Sequence, residues 1–317
     1  MTDPNEQKAR QKIEEGERKL KKNSGFFASL LGSGDNVSEA IECFISGGNY
    51  FKIAKNWDSA GKIFLKVAEL REQHGGATFE AAQQYVEAGT CYRKVDTQKA
   101  IDCHTKGADI YAGLGKFIST AKARGTMGEI YETAVNTEID NNLKEQYKEK
   151  AMIEHQKAAD FYKGEEQKSS AAKHLQKVAS LAAELGQYQK AMHVFEEIAL
   201  YEVESQLLKY SSRAHFLQAL LCSLCYDLLD AQRALKRYEE IAPIFSDSDE
   251  CKFFKKLIRC VEMNDPDGFA QVVKERDEKS RFDAWYTNIL LKIKRTCGDG
   301  GEVKDDDGGQ EEEEDLR

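Results

Sequence analysis

Helical hairpins repeat along this chain, and their repetition restricts the possible folds more than any other feature. In residues 169–199, apolar positions recur at three- and four-residue steps in two stretches that Gly186 separates. Such spacing places the apolar side chains on one face of each of two helices, and glycine commonly ends a helix. We therefore predict a helical hairpin here, with Ser169 and Ser170 as candidate caps of its first helix.

Regularly spaced alanines extend this pattern towards the N-terminus. They are expected near helix starts at positions 40, 60, 81, 100 and 121, at intervals of 20, 21, 19 and 21 residues. Two helices then make a repeat of about 40 residues, which is typical of helical-repeat proteins. Because an amphipathic hairpin cannot bury its apolar face alone, the hairpins must stack. The predicted fold is all-α: a right-handed TPR-like (tetratricopeptide-like) α-solenoid with a C-terminal helical bundle and a disordered acidic tail.

Breaks in the pattern divide the chain into four predicted parts. Residues 1–37 form an N-terminal helix and an apolar loop, and residues 38–230 form the solenoid. Prolines at 243 and 266 interrupt the pattern, so residues 231–297 are predicted to be a compact helical bundle that caps the solenoid. Residues 298–317 contain too little apolar surface to fold. Within the solenoid, Thr133 to Lys150 is predicted to be a long turn with a helix extension.

The net charge of −9 is concentrated at the C-terminus. Residues 298–317 hold ten acids and two bases, a balance of −8, which leaves −1 for residues 1–297. A domain that binds nucleic acid is usually strongly basic, so this balance argues against nucleic-acid binding. No apolar stretch approaches the length of a membrane span, and any membrane contact is expected to be peripheral.

Motifs for catalysis and metal binding are missing from the sequence. The six histidines show no HxxxH or HExxH spacing, and there is no phosphate-binding GxxxxGK[ST], GxGxxG or GxSxG motif. Cys222 and Cys225 form an isolated CxxC that we interpret as helix core. With no secretory signal peptide ahead of them, the eight cysteines are expected to be reduced thiols in the cytosol. We predict no enzyme activity, no cofactor and no metal.

An apolar hexamer lies between glycines near the N-terminus. Its large side chains are Phe26, Phe27, Leu30 and Leu31, and Arg18, Lys19, Lys21 and Lys22 precede it. The residues alone leave two interpretations open. The loop folds back onto the first hairpin, or it inserts into the interface of a bilayer with anionic head groups.

Basic residues recur in or just after the predicted helix turns. A solvated surface would explain any single one of them. Their recurrence favours a track on one edge or on the concave face of the solenoid, suited to an acidic rod-like partner. The candidate residues are Lys55, Arg93, Lys94, Lys116, Lys122 and Lys163.

Several short segments resemble the soluble NSF attachment proteins, and among them the alpha/beta type. A generic helical repeat does not require these segments, and the resemblance covers nearly the whole chain. They are FFASLLG at 26–32, FKIAKNWDSAG at 51–61, EIYET at 129–133, ADFYKGEE at 159–166, LLKYS at 207–211, FSDS at 245–248 followed by ECK, and the terminal EDLR.

This resemblance implies a non-enzymatic adaptor. Proteins of the family bind the SNARE four-helix bundle and recruit the hexameric AAA+ ATPase NSF, which disassembles the bundle after membrane fusion. The basic residues named above would contact the SNARE bundle, and Phe26, Phe27, Leu30 and Leu31 would contact the membrane. Leu316 would stimulate NSF, with Lys209 and Asp227 contributing to the NSF contact. The implied location is cytoplasmic and peripheral to Golgi, endoplasmic reticulum, vesicle and plasma membranes, with several copies on each bundle.

The sequence departs from the family pattern at a few positions. Residues 133–150 are longer than expected, Asp249 stands where a base is usual, and Met263 thins an acidic run near Glu262. Residues 299–310 lengthen the chain before Leu316. Two other function classes remain open: a generic TPR-type scaffold that binds peptides or chaperones, and a regulatory subunit of an enzyme.

Overall fold

The computed structural model describes residues 3–22 and 33–297, which form fifteen helices and contain no strand. Chain contacts divide the protein into two compact units, Met1–His174 (unit 1) and Leu175–Arg317 (unit 2), and each is described separately. The helices are α1 Pro4–Lys22, α2 Ser33–Ile53, α3 Trp57–Gly75, α4 Phe79–Tyr92, α5 Thr97–Gly113, α6 Phe117–Thr137, α7 Asn141–Gly164, α8 Lys168–Glu184, α9 Tyr188–Glu204, α10 Ser212–Tyr226, α11 Leu228–Ile241, α12 Pro243–Ser246, α13 Asp249–Glu262, α14 Pro266–Lys279 and α15 Ala284–Thr296.

Helices α1 to α7 of unit 1 pack in chain order, each against the next. From α2 onwards they are joined by turns of three or four residues, so consecutive helices are antiparallel. The α3–α4, α5–α6 and α7–α8 turns therefore lie at one edge of the helix stack, the first edge. The α2–α3, α4–α5 and α6–α7 turns lie at the opposite, second edge. Ring contacts agree, since Phe117 at the start of α6 stacks on Phe161 near the end of α7 with centroids 5.8 Å apart.

Fully buried alanines allow these helices to approach one another. Four of the five predicted positions lie within the first five residues of α3 to α6, as the spacing predicts, whereas Ala40 lies two turns into α2 because that helix begins at Ser33. All five are 0% exposed: Ala40, Ala60, Ala81, Ala100 and Ala121.

Several turns share one backbone conformation, in which the residue two positions before the next helix has positive φ. Gly115 (φ 69) and Gly186 (φ 73) have this conformation, which is the helix end predicted for Gly186. At the α7–α8 turn the helix ends at Gly164 as predicted, but the residue with positive φ is Glu166 (φ 57). Lys55 (φ 56) takes the same conformation. A side chain in this left-handed region costs about 1 kcal/mol relative to glycine.

Residues 133–150 are almost entirely helical, so the long turn predicted there is wrong. Only residues 138–140 are non-helical. The Asp140 carboxylate accepts hydrogen bonds from the backbone N–H groups of Asn142 (2.8 Å) and Leu143 (3.2 Å). Asn141 and Asn142 therefore form the first turn of a capped helix, where polar side chains are well tolerated.

Helix α10 is the core of unit 2. It packs against α9, α11, α12, α13 and α15, and every residue from Phe216 to Leu224 is buried. Cys222 is fully buried, and burial raises the pKa of its thiol well above the ordinary value. A thiol held neutral in this way is unreactive, which supports the interpretation of the CxxC as helix core. All eight cysteines are free thiols.

Candidate functional site

The six basic residues singled out from the sequence all lie in unit 1, but they do not share one edge. Lys55 lies in the α2–α3 turn, and Arg93 and Lys94 lie in the α4–α5 turn, at the second edge. At the first edge the bases are Lys116 in the α5–α6 turn, Lys122 in the second turn of α6 and Lys163 at the end of α7. Two rows of bases therefore stand at opposite edges of the same stack of helices.

Lys55 occupies a rigid and strained turn. Its N–H donates to the Lys52 carbonyl (3.0 Å), and the next residue, Asn56, accepts from the Ser59 N–H (3.2 Å) to cap α3. The Asn56 side chain also donates to the Glu6 carboxylate of α1 (2.8 Å). The turn thus holds an exposed lysine where glycine would be more stable.

Arg93 and Lys94 directly follow the end of α4, and their surroundings differ. The Arg93 guanidinium lies 3.0 Å from the Glu129 carboxylate of α6, which ties neighbouring helices together. It also lies close to His104, which is fully buried against the backbone of Gly89. Lys94 is exposed in the turn itself. We infer that Arg93 braces the turn that presents Lys94.

Packing between α6 and α7 positions the bases of the first edge. Gly115 allows the tight turn before Lys116, whose N–H donates to the Tyr111 carbonyl (2.8 Å). The stacked rings of Phe117 and Phe161 bring together the start of α6 and the end of α7, with Lys163 two residues beyond Phe161.

Four of the six bases have no carboxylate partner within residues 3–22 and 33–297. Lys55, Lys94, Lys116 and Lys122 are all exposed, and none lies in an ion pair with a described residue. Most other interactions of unit 1 bases are with carboxylates, as for Lys62 with Asp58 (2.6 Å) and Lys106 with Glu72 (3.2 Å). Unpaired lysines leave their charge available to an acidic partner.

A largely buried arginine lies beside this surface and was not predicted. Arg124 donates to Asp109 of α5 (2.6 Å) and to Glu154 of α7 (3.3 Å), so it links three helices two residues beyond Lys122. Its side chain is only 15% exposed. Its position in sequence resembles that of any helix-surface base, and only the packing of α5 and α7 distinguishes it.

A histidine pair between α6, α7 and α8, with His155 buried and His174 half-buried, was also missed. The Nδ1 atoms of His155 and His174 are 3.1 Å apart, and Nε2 of His155 lies 3.1 Å from the Glu132 carboxylate. Gly125 and Gly128 leave room for the two rings. Burial, together with the neighbouring His155, lowers the pKa of His174 to about 4. The two glycines within α6 were the available signal.

In unit 2, Lys209 and Asp227 lie at opposite ends of α10. Lys209 is in the α9–α10 turn, with its ammonium 5.4 Å from the centre of the Tyr210 ring. Asp227 caps α11 by accepting from the Asp230 N–H (2.8 Å). The fifteen residues of α10 separate them by about 22 Å. They cannot belong to one compact contact.

The end of unit 2 that contains Asp227 is acidic and partly apolar. The Gln232 amide of α11 donates to Glu262 at the end of α13 (2.5 Å), so the start of α11 lies beside the end of α13. Met263 is 80% exposed there. At the opposite end of α13, Asp249 lies in the first turn, where the helix dipole favours a carboxylate. Local helix chemistry thus accounts for the acid at this position.

Some predicted residues lie outside the described ranges: Phe26, Phe27, Leu30, Leu31 and Leu316. Among the described residues, no cluster of three or more His, Cys, Asp or Glu side chains could hold a metal ion. A search of the same residues finds no helix with the length and apolar character that crossing a membrane requires.

Comparison with known proteins gives consistent matches over nearly the full length. The sequence model of the family "Soluble NSF attachment protein, SNAP" matches residues 7–298. The mouse alpha-soluble NSF attachment protein is 41% identical over 96% of this chain and 96% of its own length. The bovine beta-soluble NSF attachment protein is 42% identical over 93% of this chain and 96% of its own. A probable vesicular-fusion protein sec17 homolog of Schizosaccharomyces pombe is 30% identical over 90% and 94%.

Proposed function

Because this chain belongs to the soluble NSF attachment protein family, we propose that its two rows of bases bind the assembled SNARE bundle and that its C-terminal part presents the bundle to NSF. The protein is a non-enzymatic adaptor of vesicle fusion that serves the ATPase NSF. The family match disfavours a generic peptide- or chaperone-binding scaffold and a regulatory subunit of an enzyme.

The observation that carries the SNARE-binding surface is the set of unpaired lysines. Lys55, Lys94, Lys116 and Lys122 are exposed and have no ion pair within the described ranges, and with Arg93 and Lys163 they mark both edges of unit 1. Many weak charge pairs suit a partner whose sequence varies but whose shape and negative charge do not. The surface therefore fits an acidic four-helix bundle.

Charge reversal at the first edge tests this proposal. Lys122→Glu with Lys163→Glu is expected to abolish pull-down of the assembled SNARE complex and to leave the helical circular dichroism unchanged. A matched control is Lys274→Glu with Lys279→Glu, which makes the same change in charge on the exposed face of α14. If the first-edge variant binds normally, the surface is wrong.

The NSF contact is proposed at the acidic end of unit 2 and at Leu316. Asp227 lies at this end, whereas Lys209 lies about 22 Å away and would contribute through a separate contact. Asp227→Asn keeps an efficient helix cap but removes the charge, so it separates recognition from stability. We expect Asp227→Asn to weaken NSF recruitment to the SNARE complex, and unchanged recruitment would exclude Asp227 from the contact.

Leu316→Ala tests the extreme C-terminus. The variant is expected to retain SNARE binding and to lower the ATP hydrolysis by NSF that depends on the SNARE complex. Unchanged hydrolysis would remove Leu316 from the mechanism.

Membrane contact is proposed at Phe26, Phe27, Leu30 and Leu31. Phe26→Ser with Phe27→Ser is expected to reduce liposome flotation and SNARE disassembly on membranes, but not disassembly in detergent. Equal activity of wild type and variant on membranes would exclude this loop. Several copies on one bundle would add avidity to such weak membrane contacts, and the protein would work at the cytoplasmic face of Golgi, endoplasmic reticulum, vesicle and plasma membranes.

A further inference from the structure

Four large apolar side chains are exposed together at the first edge of unit 1. They belong to the α3–α4 and α5–α6 turns, which share that edge, and we refer to them as the first-edge patch. Such side chains are normally buried, and an exposed cluster marks an interaction surface. The patch consists of Phe79 (40% exposed), Leu114 (42%), Phe117 (40%) and Ile118 (38%).

Ring contacts hold the patch in place. The Phe79 ring packs on Tyr111 of α5 with centroids 5.2 Å apart, and the Phe117 ring stacks on Phe161 of α7 at 5.8 Å with an angle of 17° between the planes. Each phenylalanine ring is thus packed against a neighbouring ring and is still partly exposed. Because these side chains are already ordered, binding through them costs little conformational entropy.

The charge around the patch is positive on one side. Residues 110–128 contain three bases and no acid. Arg124 is already engaged with Asp109 and Glu154, which leaves Lys116 and Lys122 exposed next to the patch. Exposed carboxylates lie in the turns to either side of the α5–α6 turn: Glu80 at the start of α4, and Glu165 and Glu166 in the α7–α8 turn.

This distribution distinguishes between two kinds of partner. A flat anionic membrane that reached the patch would also approach the three carboxylates, which it would repel. An acidic rod that lies on the α5–α6 turn can contact Lys116, Lys122 and the central side chains of the patch between these carboxylates. Protein interfaces commonly have an apolar centre surrounded by such a polar rim.

We propose that the first-edge patch is an apolar contact for the assembled SNARE bundle, positioned between the bases of that edge. The inference rests on the proposed function and adds to it: binding at this edge includes an apolar component, which salt does not screen. Phe117 and Ile118 are its central residues because they lie between Lys116 and Lys122.

The test measures the affinity of the full chain for a soluble assembled SNARE bundle at about 0.1 M and about 1 M salt, where the Debye length falls from about 10 Å to about 3 Å. Phe117→Ser with Ile118→Ser is expected to weaken binding about tenfold at both salt concentrations. The loss caused by Lys122→Glu should instead shrink at high salt. Leu200→Ser with Ile241→Ser, which removes apolar side chains of similar exposure (39% and 45%) from unit 2, is the matched control and should change nothing.

Each other result overturns this inference. If Lys122→Glu with Lys163→Glu abolishes binding but the apolar variants bind normally, the patch is not part of the surface and the proposed function stands. If the charge reversal has no effect, the proposed function fails as well. If the apolar variants lose affinity only for phosphatidylserine-containing vesicles, the patch contacts membrane. Leu114→Ser, which disturbs neither ring pair, repeats the test should the double variant misfold, with a smaller loss expected.

Discussion

Individual residues carry the strain and the buried charge of this protein. Lys55 has positive φ, Arg124 connects three helices, and His104 is 0% exposed with neither ring nitrogen bonded to a described group. At position 55 a glycine would be more stable. Strain that persists at an exposed base indicates that the side chain is retained for binding.

Substitution of Lys55 separates stability from binding. Lys55→Gly should raise the free energy of unfolding by about 1 kcal/mol, because glycine adopts positive φ without a steric cost. It should also weaken binding of the SNARE bundle. Lys55→Ala should weaken binding equally without the gain in stability. Urea denaturation and a pull-down distinguish the two, and a stable Lys55→Gly with full affinity would exclude Lys55 from the interface.

Acid should destabilise the fold through His104. Burial, with a smaller effect of Arg93, lowers the pKa of His104 to about 4, against 6.5 for an unperturbed imidazole. The unfolded chain binds a proton near pH 6.5 and the folded chain does not, so this contribution is present above pH 6.5. It is lost as the pH falls towards 4, at a cost of about 3 kcal/mol. In His104→Leu, the urea midpoint should change less with pH over this range than in the wild type. His74→Leu, at an exposed position, should keep the wild-type pH dependence.

At the level of elements, glycines set how closely helices pack. A Cβ atom at Gly128 would lie 2.6 Å from the His155 ring, and one at Gly125 would lie 2.4 Å from His174. The two histidine rings can therefore approach the α6 backbone only because these two positions carry no side chain. The periodicity of the sequence predicted this helix, but not which of its faces meets two histidines.

Alanine substitutions should reveal this packing. Gly128→Ala is expected to destabilise unit 1 by about 2 kcal/mol, because overpacking outweighs the better helix propensity of alanine. Gly113→Ala should stabilise by up to about 1 kcal/mol, since nothing lies within 4 Å of its added Cβ atom. Chemical denaturation of both variants checks the contrast, and equal behaviour would mean that α6 can shift away from the histidines.

The link between α5, α6 and α7 should depend on one side chain. Arg124→Ala leaves the 7% exposed Glu154 with Lys157 as its one ion-pair partner among the described residues, and should cost about 3 kcal/mol. Lys122→Ala on the same helix should cost less than about 0.5 kcal/mol, as expected of an exposed base. If the two variants unfold at the same urea concentration, the bridge contributes nothing to stability.

At the level of the whole molecule, charge is divided between body and tail. Removing residues 298–317 would change the net charge from −9 to −1. A less negative protein should associate faster with an acidic SNARE bundle, with little change in dissociation rate, and the difference should shrink as salt is added. Stopped-flow association of full-length and truncated chains tests this, and equal rates at low salt would contradict it.

Sequence and structure agree on the features that neighbouring residues determine. Periodicity predicted the helices, and Gly186 predicted a helix end, because both depend on neighbouring residues. Positive φ at Lys55 occurs where glycine is the usual residue, and the bridge of Arg124 depends on distant packing, so the pattern gave no sign of either. The six bases were found from their positions in turns, whereas their division between two edges required the antiparallel order of the helices. The four-part division at residues 37, 230 and 297 stays a prediction.

The distance between the two rows of bases determines how wide a partner must be to contact both rows. Helices of 17 to 21 residues separate the edges of unit 1 by roughly 25 to 30 Å. A single helix is about 10 Å thick and reaches only one row, whereas four helices side by side approach the full span. A single unassembled SNARE helix would thus contact one row of bases only. The protein would therefore select assembled bundles by their width.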